Sequence, residues 1–313
     1  MRKSDYLRKN GVQSLYHFTH IFNVPLIAEH GLLSKKLLRQ RDLWGKIIPG
    51  GNEVSQKEDA RRGNDDYVSL AYTPYFPMAF WRKREHHICF FEIDVDVVDK
   101  NTAFFTQGNA TSREHYRDRN PSAVLDPSDL RFILAGPPDR DSPAWDYWHT
   151  ISQSEVLIPD RVDSSAIKRC VVLTKDALEM CSISRIPFPV EIDKELFYDK
   201  PGEGRVNFSY AEDLQIRGSI ATFRIYSPDR ASEPKLELLL SDGPYFKNFD
   251  LIRKFLTYPP IKERYQDATY PALLFGSSAS VVFGKLPPGK YTALLYSHGR
   301  QNIIPWSLKE FWL

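Results

Sequence analysis

The sequence predicts an α+β fold followed by a β-rich C-terminal domain, and three observations lead to this prediction. Hydrophobic residues make up 42% of the 313 residues and charged residues 26%, which is typical of a folded globular protein and excludes extensive disorder. Strand-like and helical segments alternate as far as residue 181. Beyond residues 187–189, strand-like runs separated by turn signals predominate. We therefore expect one domain at residues 1–185 and a second at residues 186–313.

The elements of the first domain follow from apolar periodicity and capping signals. Residues 14–18 predict a strand, and residues 24–30 predict a helix that Gly31 ends as its C-cap. The further predicted elements are strands at 67–72, 86–98, 155–158 and 167–173 and helices at 77–84 and 175–181. Two polar stretches, residues 39–66 and 108–152, predict long loops, and loops of that length in a compact domain usually carry function.

The second domain is predicted to consist mainly of strands. Its strand-like runs lie at 205–226, 235–240, 270–284 and 291–297. Turn signals separate them, such as Asp-Gly-Pro at 242–244 and Pro-Pro-Gly at 287–289. One helix is expected at about 247–257. No motif in this domain indicates a chemical activity.

The three cysteines, Cys89, Cys170 and Cys181, predict neither a metal site nor a disulfide framework. Their number is odd and their spacing is wide, without the paired Cys-x-x-Cys arrangement of zinc sites. No apolar stretch approaches the roughly 20 residues of a membrane-spanning helix, and the N-terminus lacks the apolar core of a secretory signal. We therefore expect a cytoplasmic protein without a membrane partner. The net charge of +2 indicates that any nucleic-acid contact depends on local basic clusters.

Three segments of the first domain combine residues that are suited to chemistry. Residues 16–20 (Tyr-His-Phe-Thr-His) end a strand before a helix, residues 67–78 form an aromatic strand that leads into a helix, and Glu155 opens the apolar strand at 155–158. Each residue alone also has a structural interpretation, since a histidine at a strand end is usually satisfied within the fold and Tyr72 can be a core residue. The order of histidine, aromatic strand and late glutamate gives the three segments a joint interpretation.

The three segments resemble the DarT family of nucleic-acid ADP-ribosyltransferase toxins. The first resembles the start of that family, because Tyr-His-Phe-Thr-His is followed by a helix with the pattern Ile-x-Glu-His-Gly-Leu-Leu. The second resembles the family in Asp-Tyr-Val at 66–68 and Pro-Met at 77–78. The third, Ser-Glu-Val-Leu-Ile-Pro at 154–159, resembles the catalytic Glu-Val-Leu segment. The resemblance covers roughly residues 12–175.

This resemblance implies an ADP-ribosyltransferase-like split β-sheet core with helices, NAD as a co-substrate and a neutralising antitoxin protein as a partner. No glycine-rich dinucleotide fingerprint is present, which disfavours a Rossmann mode of binding. The chain departs from the family pattern at Ser69, where the family has proline, and at residues 75–76 (Tyr-Phe), where it has Arg-Ser. These departures leave the target base open.

The resemblance assigns the catalytic role to Glu155. Breaking the nicotinamide–ribose bond places positive charge on the ribose, and a nearby carboxylate stabilises that charge and orients the ribose or deprotonates the nucleophile. Arg61 or Arg62 takes the place of the family's catalytic arginine, and the spacing does not decide between them. The residues assigned to NAD binding are His17, Thr19, His20, Tyr67 and Tyr72. Among these, Tyr72 is expected to stack on the nicotinamide ring.

A substrate-binding segment is expected in the stretch before Glu155, where basic residues alternate with aromatic residues. Such a mixture suits a single strand, because charges bind phosphates and rings stack on unpaired bases. The candidates are Arg113, Tyr116, Arg117, Arg119, Trp145, Trp148 and His149. Alternatively, Trp145 and Trp148 anchor a short helix to the core. A second basic cluster at residues 81–84 (Trp-Arg-Lys-Arg) either contacts phosphate or stabilises a helix C-terminus.

We expect an NAD-dependent ADP-ribosyltransferase toxin that modifies a base of single-stranded DNA in a toxin–antitoxin or anti-phage defence system. A single strand is favoured because a base that is modified must leave the stack of a duplex. The closest alternative is the same chemistry on single-stranded RNA. A third interpretation is a non-catalytic module that binds nucleic acid or protein, and the presence of both Glu155 and His17 argues against it.

Overall fold

The computed structural model shows an α+β fold with a large central sheet, as the sequence predicts, and a β-rich region after it. The structure describes residues 1–50, 59–85, 87–100, 102–110, 116–181, 185–218, 220–228, 236–242, 269–271, 273–275, 278–282, 290–298 and 303–312.

The N-terminal part contains a mixed sheet and short helices. The helices are α1 (Lys3–Lys9), α2 (Val24–His30), α3 (Lys35–Gln40), α4 (Pro77–Glu85), α5 (Val97–Lys100), α6 (Pro127–Leu134), α7 (Trp145–Ile151) and α8 (Lys175–Cys181). The strands are β1 (Ser14–His20), β2 (Leu32–Leu33), β3 (Tyr67–Ala71), β4 (Ile88–Asp94), β5 (Phe104–Gln107), β6 (Tyr116–Asp118), β7 (Glu155–Pro159), β8 (Arg161–Val162), β9 (Ile167–Val172) and β10 (Val190–Ile192). Eight of these strands form one sheet in the order β10-β9-β4-β1-β3-β7-β5-β6.

The large sheet is split beside its central strand β1. On one side β1 pairs with β4 over its whole length, from Ser14↔Asp94 to His20↔Ile88. On the other side β1 and β3 share a single paired position, Tyr16↔Ala71, and beyond it the two strands diverge. The split β-sheet core that the sequence predicts is therefore confirmed.

Helix α2 ends where the sequence predicts, and the residue that caps its C-terminus has to be glycine. Gly31 has a φ of +75°, in the left-handed region that residues with a Cβ avoid. A Cβ at this position would lie 2.4 Å from the carbonyl oxygen of Val162, which is too close for any side chain. The turn brings β2 against β8, so that Leu32 pairs with Val162.

Local capping explains where the structure departs from the predicted elements. The strand predicted at 86–98 ends at Asp94, because the chain turns and begins α5 at Val97. The stretch at 108–152, predicted as a loop, contains β6, α6 and α7. Helix α6 forms because Asp126 accepts hydrogen bonds from the backbone N–H groups of its first turn in a capping box. The predicted loop at 39–66 includes the end of α3 and a helical turn at 59–62.

The C-terminal region forms two four-stranded sheets. Its strands are β11 (Tyr210–Arg217), β12 (Ile220–Tyr226), β13 (Leu236–Asp242), β14 (Thr269–Pro271), β15 (Leu273–Phe275), β16 (Ser278–Val282), β17 (Lys290–His298) and β18 (Ile303–Trp312). The sheets have the orders β11-β12-β16-β15 and β14-β13-β17-β18. Strand β18 was not among the predicted runs, and the helix predicted at 247–257 lies outside the described residues.

The N-terminal and C-terminal parts share a hydrophobic core. One cluster of buried side chains combines Phe90 of β4 and Val171 of β9 with Phe208, Tyr210 and Trp306 from the C-terminal region. Strand β10 follows residue 185 and pairs in parallel with β9, so the large sheet continues past the predicted domain boundary. The division into domains at 1–185 and 186–313 stays a prediction.

Two further observations concern the cysteines and the possibility of a membrane-spanning helix. All three cysteines are buried and none forms a disulfide. Among the described residues, no helix combines the length and the apolar character needed to span a bilayer.

Candidate active site

A cleft of about 250 Å³ opens where β1 and β3 diverge. Four of the residues predicted to act on NAD line this cleft together. They are His17, Thr19, Tyr67 and Glu155. The split of the sheet thus brings together the first, second and third sequence segments, which are separated by more than a hundred residues in the case of His17 and Glu155.

Strand pairing and a short loop fix the position of Glu155. Ala71 lies opposite Glu155 and Ser69 lies opposite Leu157, so Ser69 and Glu155 project from the same face of the sheet. The backbone N–H of Glu155 donates to Thr106 Oγ1 at 2.9 Å. The carboxylate accepts hydrogen bonds from the Ser69 hydroxyl and from the backbone N–H of Ala110.

The carboxyl group of Glu155 is poised between its two protonation states near neutral pH. Burial raises its pKa to about 7, and the negative charge of Asp59 on the cleft wall acts in the same direction. The hydrogen bonds from Ala110 and Ser69 and the charge of Lys35 oppose this rise. A carboxylate with a pKa near the working pH is well suited to accept a proton from a substrate.

His17 faces the cleft as a neutral ring. Its Nδ1 lies 3.1 Å from the carbonyl oxygen of Ser69, and because a carbonyl only accepts, Nδ1 carries the proton. Burial lowers the pKa of His17, and the bond to Ser69 only partly offsets this effect. The ring therefore presents Nε2 as a hydrogen-bond acceptor.

Thr19 lines the opposite wall and is held by Asn23. Asn23 Nδ2 donates to Thr19 Oγ1 at 2.8 Å and to the carbonyl oxygen of Ile48 at 2.8 Å, while its Oδ1 accepts from the Ile48 N–H at 2.9 Å. Asn23 and Ile48 also line the cleft. The wall from Thr19 to Ile48 is therefore fixed by paired polar groups before any substrate binds.

Asn64 supplies a buried acceptor beside Glu155. Its Nδ2 donates to the carbonyl oxygen of Ala110 at 3.0 Å. Its Oδ1 is buried on the cleft wall and has no hydrogen-bond partner among the described residues. A buried acceptor without a partner costs free energy that a substrate hydroxyl or amide can recover. The polar groups of the cleft and its apolar walls fit a ligand with a ribose and an aromatic ring.

Two residues assigned to NAD binding and the two candidate catalytic arginines do not line the cleft. Tyr72 is only 2% exposed and packs in the hydrophobic core, so a stacking role does not fit its position. His20 is buried and accepts a hydrogen bond from the Phe22 N–H at 3.3 Å, which caps a helical turn. Arg61 is exposed and Arg62 partly buried, on the helical turn that begins with Asp59.

The basic candidates near β6 form a surface beside the cleft. The guanidinium groups of Arg117 and Arg119 lie 5.2 and 5.1 Å from the ring centre of Phe104. Phe104 in turn meets Tyr67, a cleft residue, edge to face. Tyr116 is exposed. Arg113, the remaining basic candidate, lies outside the described residues.

The aromatic candidates of α7 fall into two environments. Trp148 is 2% exposed, so it anchors the helix to the core, as the alternative interpretation expects, and stacking on a base does not fit it. Trp145 is partly exposed and its ring stacks on His149, with the centroids 6.1 Å apart. The structure thus keeps Trp145 and His149 at the surface.

Sequence reasoning did not identify several polar groups of the cleft. Ser69 entered only as a departure from the family pattern, although it binds both His17 and Glu155. Asp59, which forms an ion pair with Lys35 on the cleft wall, and Asn64 lie in a stretch predicted as a loop. Strand alternation from Tyr67 places Ser69 on its face, but only the pairing with β7 places that face beside Glu155.

Comparison with known families gives the same assignment as the geometry. Residues 16–198 match the model of the DarT family, which is described as ssDNA thymidine ADP-ribosyltransferase. The chain belongs to the DarT family. The match spans β1 to the residues after β10, and it contains every residue that lines the cleft with a predicted role. No curated protein sequence matches the chain.

Solved DarT structures are also similar to the chain, at low sequence identity. The DarTG protein of Thermosipho africanus, in complex with ADP-ribose, is 19% identical over 59% of this chain and 51% of its own, with a TM-score of 0.48. DarT of Thermus sp. 2.9 in complex with ADP-ribosylated ssDNA is 18% identical over 60% of this chain and 97% of its own, with a TM-score of 0.46. The same DarT in complex with NAD⁺ has 16% identity, coverages of 60% and 98% and a TM-score of 0.44. The chain therefore spans about half the length of DarTG.

The family match confirms three predictions from the sequence, namely the family, the fold class and the enzyme class. The family is one of ADP-ribosyltransferases that act on single-stranded DNA. The roles of individual residues are not tested by this match, and they rest on the geometry of the cleft.

Proposed function

We propose that this chain transfers ADP-ribose from NAD⁺ to a thymidine base of single-stranded DNA, with Glu155 as the catalytic carboxylate. The observation that carries the proposal is the carboxyl group of Glu155, held in the cleft by Ser69 and Ala110 with a pKa of about 7. NAD⁺ is bound by the DarT of Thermus sp. 2.9, which supports the choice of co-substrate.

The cleft residues divide the chemistry between charge stabilisation and proton transfer. When the nicotinamide–ribose bond breaks, its electron pair leaves with nicotinamide and positive charge develops on the ribose. The Glu155 carboxylate stabilises that charge. The attacking atom is N3, the one ring nitrogen of thymidine that carries a proton, and Glu155 takes this proton as the new bond to the ribose forms.

The remaining cleft residues bind and orient the co-substrate. The Nε2 acceptor of His17 and the unpaired Oδ1 of Asn64 accept hydrogen bonds from ribose hydroxyl or carboxamide groups. Tyr67 provides an aromatic wall. Arg61 or Arg62 binds phosphate or polarises the target base from the helical turn beside Asp59.

Arg117, Arg119 and Phe104 provide a path for the DNA strand away from the cleft. Phe104 pairs with Leu157, whose face carries Ser69 and Glu155, so Phe104 projects on the side of the cleft. Exposed guanidinium groups bind phosphates, and an aromatic ring between them stacks with an unpaired base. We extend the same role to Tyr116, Trp145 and His149.

A transfer assay with labelled NAD⁺ tests the proposal. Purified chain is incubated with single-stranded DNA, single-stranded RNA, duplex DNA and a protein extract, each with the wild type and with Glu155→Ala. We expect label on single-stranded DNA with the wild type only. Label on RNA alone would replace the substrate by RNA, and label on protein alone would remove the nucleic-acid assignment. Absence of both transfer and NAD⁺ binding would make the chain a non-catalytic module.

The pH dependence of transfer tests the role of Glu155 separately. Since the ionised carboxylate takes the proton, the rate should rise with pH through about 7 and then level off. A rate that falls over this range would contradict the role of Glu155 as a base.

We further propose that the chain acts as a toxin with a neutralising antitoxin partner, either a protein inhibitor or a hydrolase that removes the modification. The similarity to DarTG of Thermosipho africanus motivates this proposal. Induced expression in a bacterial host should arrest growth, and Glu155→Ala should abolish the arrest. Continued growth with the wild type expressed as soluble, active enzyme would contradict a toxin role. An anti-phage role predicts that cells carrying the wild type, and not Glu155→Ala, restrict phage replication.

A further inference from the structure

Helix α4 presents two apolar side chains to solvent at the mouth of the cleft. Met78 is 40% exposed and lines the cleft. Trp81 is 57% exposed and lies three residues further on, so both side chains share one face of the helix. Among the described side chains Trp81 is the only exposed tryptophan. Large apolar side chains that are exposed next to a cleft indicate a surface that a ligand covers.

Arg140 contacts both this helix and α7. Its guanidinium group lies 5.7 Å from the ring centre of Phe80 on α4 and 5.6 Å from that of Trp145 on α7. From Trp145 the contacts continue through the stacked ring of His149 to Gln153, whose Nε2 donates to the His149 carbonyl oxygen at 2.9 Å. Gln153 lines the cleft. We call Met78, Trp81 and Arg140 the rim.

Arg140 carries the positive charge of the rim, and no acidic side chain among the described residues neutralises it. In the part of the chain that the structure describes, no carboxylate lies within ion-pair distance of Arg140. A guanidinium held by two aromatic rings without an acid is complementary to a phosphate.

We propose that the rim binds the nucleotide next to the target base, with Trp81 stacked on its base and Arg140 bound to a phosphate. This inference rests on the proposed function, because it assigns a second contact on the same DNA strand. A base that enters the cleft leaves its neighbour without a stacking partner on that side. An exposed indole ring beside the entry replaces that partner, and Met78 fills the space between the two bases.

Binding of single-stranded DNA by variants of Trp81 tests the proposal. The probe is a fluorescein-labelled oligonucleotide of about ten nucleotides with one thymidine, measured by fluorescence anisotropy. Trp81→Ala should weaken binding by about 5- to 150-fold, the range that loss of one base–aromatic stack produces, and Trp81→Phe should restore most of it. Ile192→Ala, which removes an exposed apolar side chain on β10, is the matched control and should leave the Kd unchanged.

A protein–DNA double-mutant cycle identifies the contact itself. The oligonucleotide is prepared with an abasic nucleotide on the 5′ side or on the 3′ side of the thymidine. At the position that Trp81 contacts, loss of the base should weaken the wild type and have no further effect on Trp81→Ala. Effects that add at both positions would overturn the proposal, because they would show that ring and base do not interact.

The phosphate contact has its own measurement. Arg140→Ala should reduce the slope of log Kd against log salt concentration by about 0.7, the contribution of one phosphate contact to a single strand. Trp81→Ala should leave this slope unchanged. An unchanged slope in Arg140→Ala would overturn the phosphate contact.

The outcomes separate this inference from the proposed function. If the wild type transfers ADP-ribose to DNA and Trp81→Ala binds DNA as tightly as the wild type, the inference fails and the proposed function stands. If Trp81→Ala weakens binding by a chain that transfers nothing, the rim is a DNA site and the proposed function fails.

Discussion

Strand β1 pairs with an antiparallel strand on each side, but only one of its two edges is paired along its whole length. Along β4 the pairing runs from Ser14↔Asp94 to His20↔Ile88, whereas along β3 it stops after Tyr16↔Ala71. Each side holds a partly buried carboxylate. On the paired side, burial raises the pKa of Glu92, but hydrogen bonds from Ser14, Arg169 and Lys168 outweigh it and the pKa is lowered. On the open side, burial and Asp59 raise the pKa of Glu155 to about 7.

The two carboxylates differ because strand pairing supplies cations to Glu92 and leaves Glu155 in the cleft. Glu92 lies on a continuous ladder where neighbouring strands supply cations, so its charge is neutralised. Glu155 lies on the open side of β1, where burial and the charge of Asp59 outweigh the effects of Ala110, Lys35 and Ser69 on its pKa. Four predictions test this comparison.

The largest effect is expected on transfer activity. Glu155→Gln should reduce the rate of ADP-ribose transfer by about 10²–10⁴-fold, because the amide neither stabilises positive charge nor accepts the proton. Glu92→Gln makes the same chemical change on the paired side and should leave the rate within a few-fold of the wild type. Equal losses in the two variants, measured with labelled NAD⁺ and single-stranded DNA, would break the comparison.

Removal of one ring on each side should affect stability unequally. Phe91 on β4 is fully buried and meets Phe188 edge to face, so Phe91→Ala should lower the free energy of unfolding by about 3–5 kcal/mol. Phe76 lines the cleft and is only partly buried, and Phe76→Ala should cost about 1–2 kcal/mol. Urea unfolding of both variants measures the difference, and a larger loss for Phe76→Ala would contradict a cleft on that side.

Glu155→Gln should stabilise the protein at alkaline pH. A carboxyl group whose folded-state pKa is raised loses stability as the pH rises through that pKa, because the unfolded chain ionises more readily. The variant should therefore exceed the wild type by about 1–3 kcal/mol above pH 8 and match it below about pH 4. Thermal unfolding across this range measures the difference, and a variant that is less stable at high pH would refute the raised pKa.

Glu92→Gln should show the opposite pH dependence and the smallest effect. Since the folded-state pKa of Glu92 is lowered, its contribution is present at neutral pH and disappears as the pH falls through that pKa. The variant should lose roughly 1 kcal/mol at neutral pH, because its cationic partners are half exposed. A loss that persists unchanged at about pH 3 would assign the effect to packing and not to charge.

Local signals predicted the elements that depend on local chemistry. Helix α8 has the bounds that the sequence predicts, and α2 ends at Gly31 because a left-handed residue is required there. The capping box of Asp126 that begins α6 is equally local, and it lies in the stretch 108–152 that was predicted to be irregular. Residue type could not choose between Tyr67, which lines the cleft, and Tyr72, which follows the end of β3 and packs in the core.

The motifs of the sequence pointed to four residues of the cleft. The resemblance of these motifs to the DarT family singled out Glu155 at the start of an apolar strand, His17 and Thr19 at the end of another and Tyr67 at the start of a third, and all four line the cleft. Residue types and their order can be read from the sequence without knowledge of the fold.

The surroundings of those residues depend on tertiary contacts. The pairing of β3 with β7 places Ser69 beside Glu155, and the divergence of β1 from β3 opens the cleft to both. The contacts of Arg140 with Phe80 on α4 and with Trp145 on α7 bring these two helices together. These relations join residues that are about 60 to 140 positions apart in the chain, and strand register and packing, which fix them, leave no local signal.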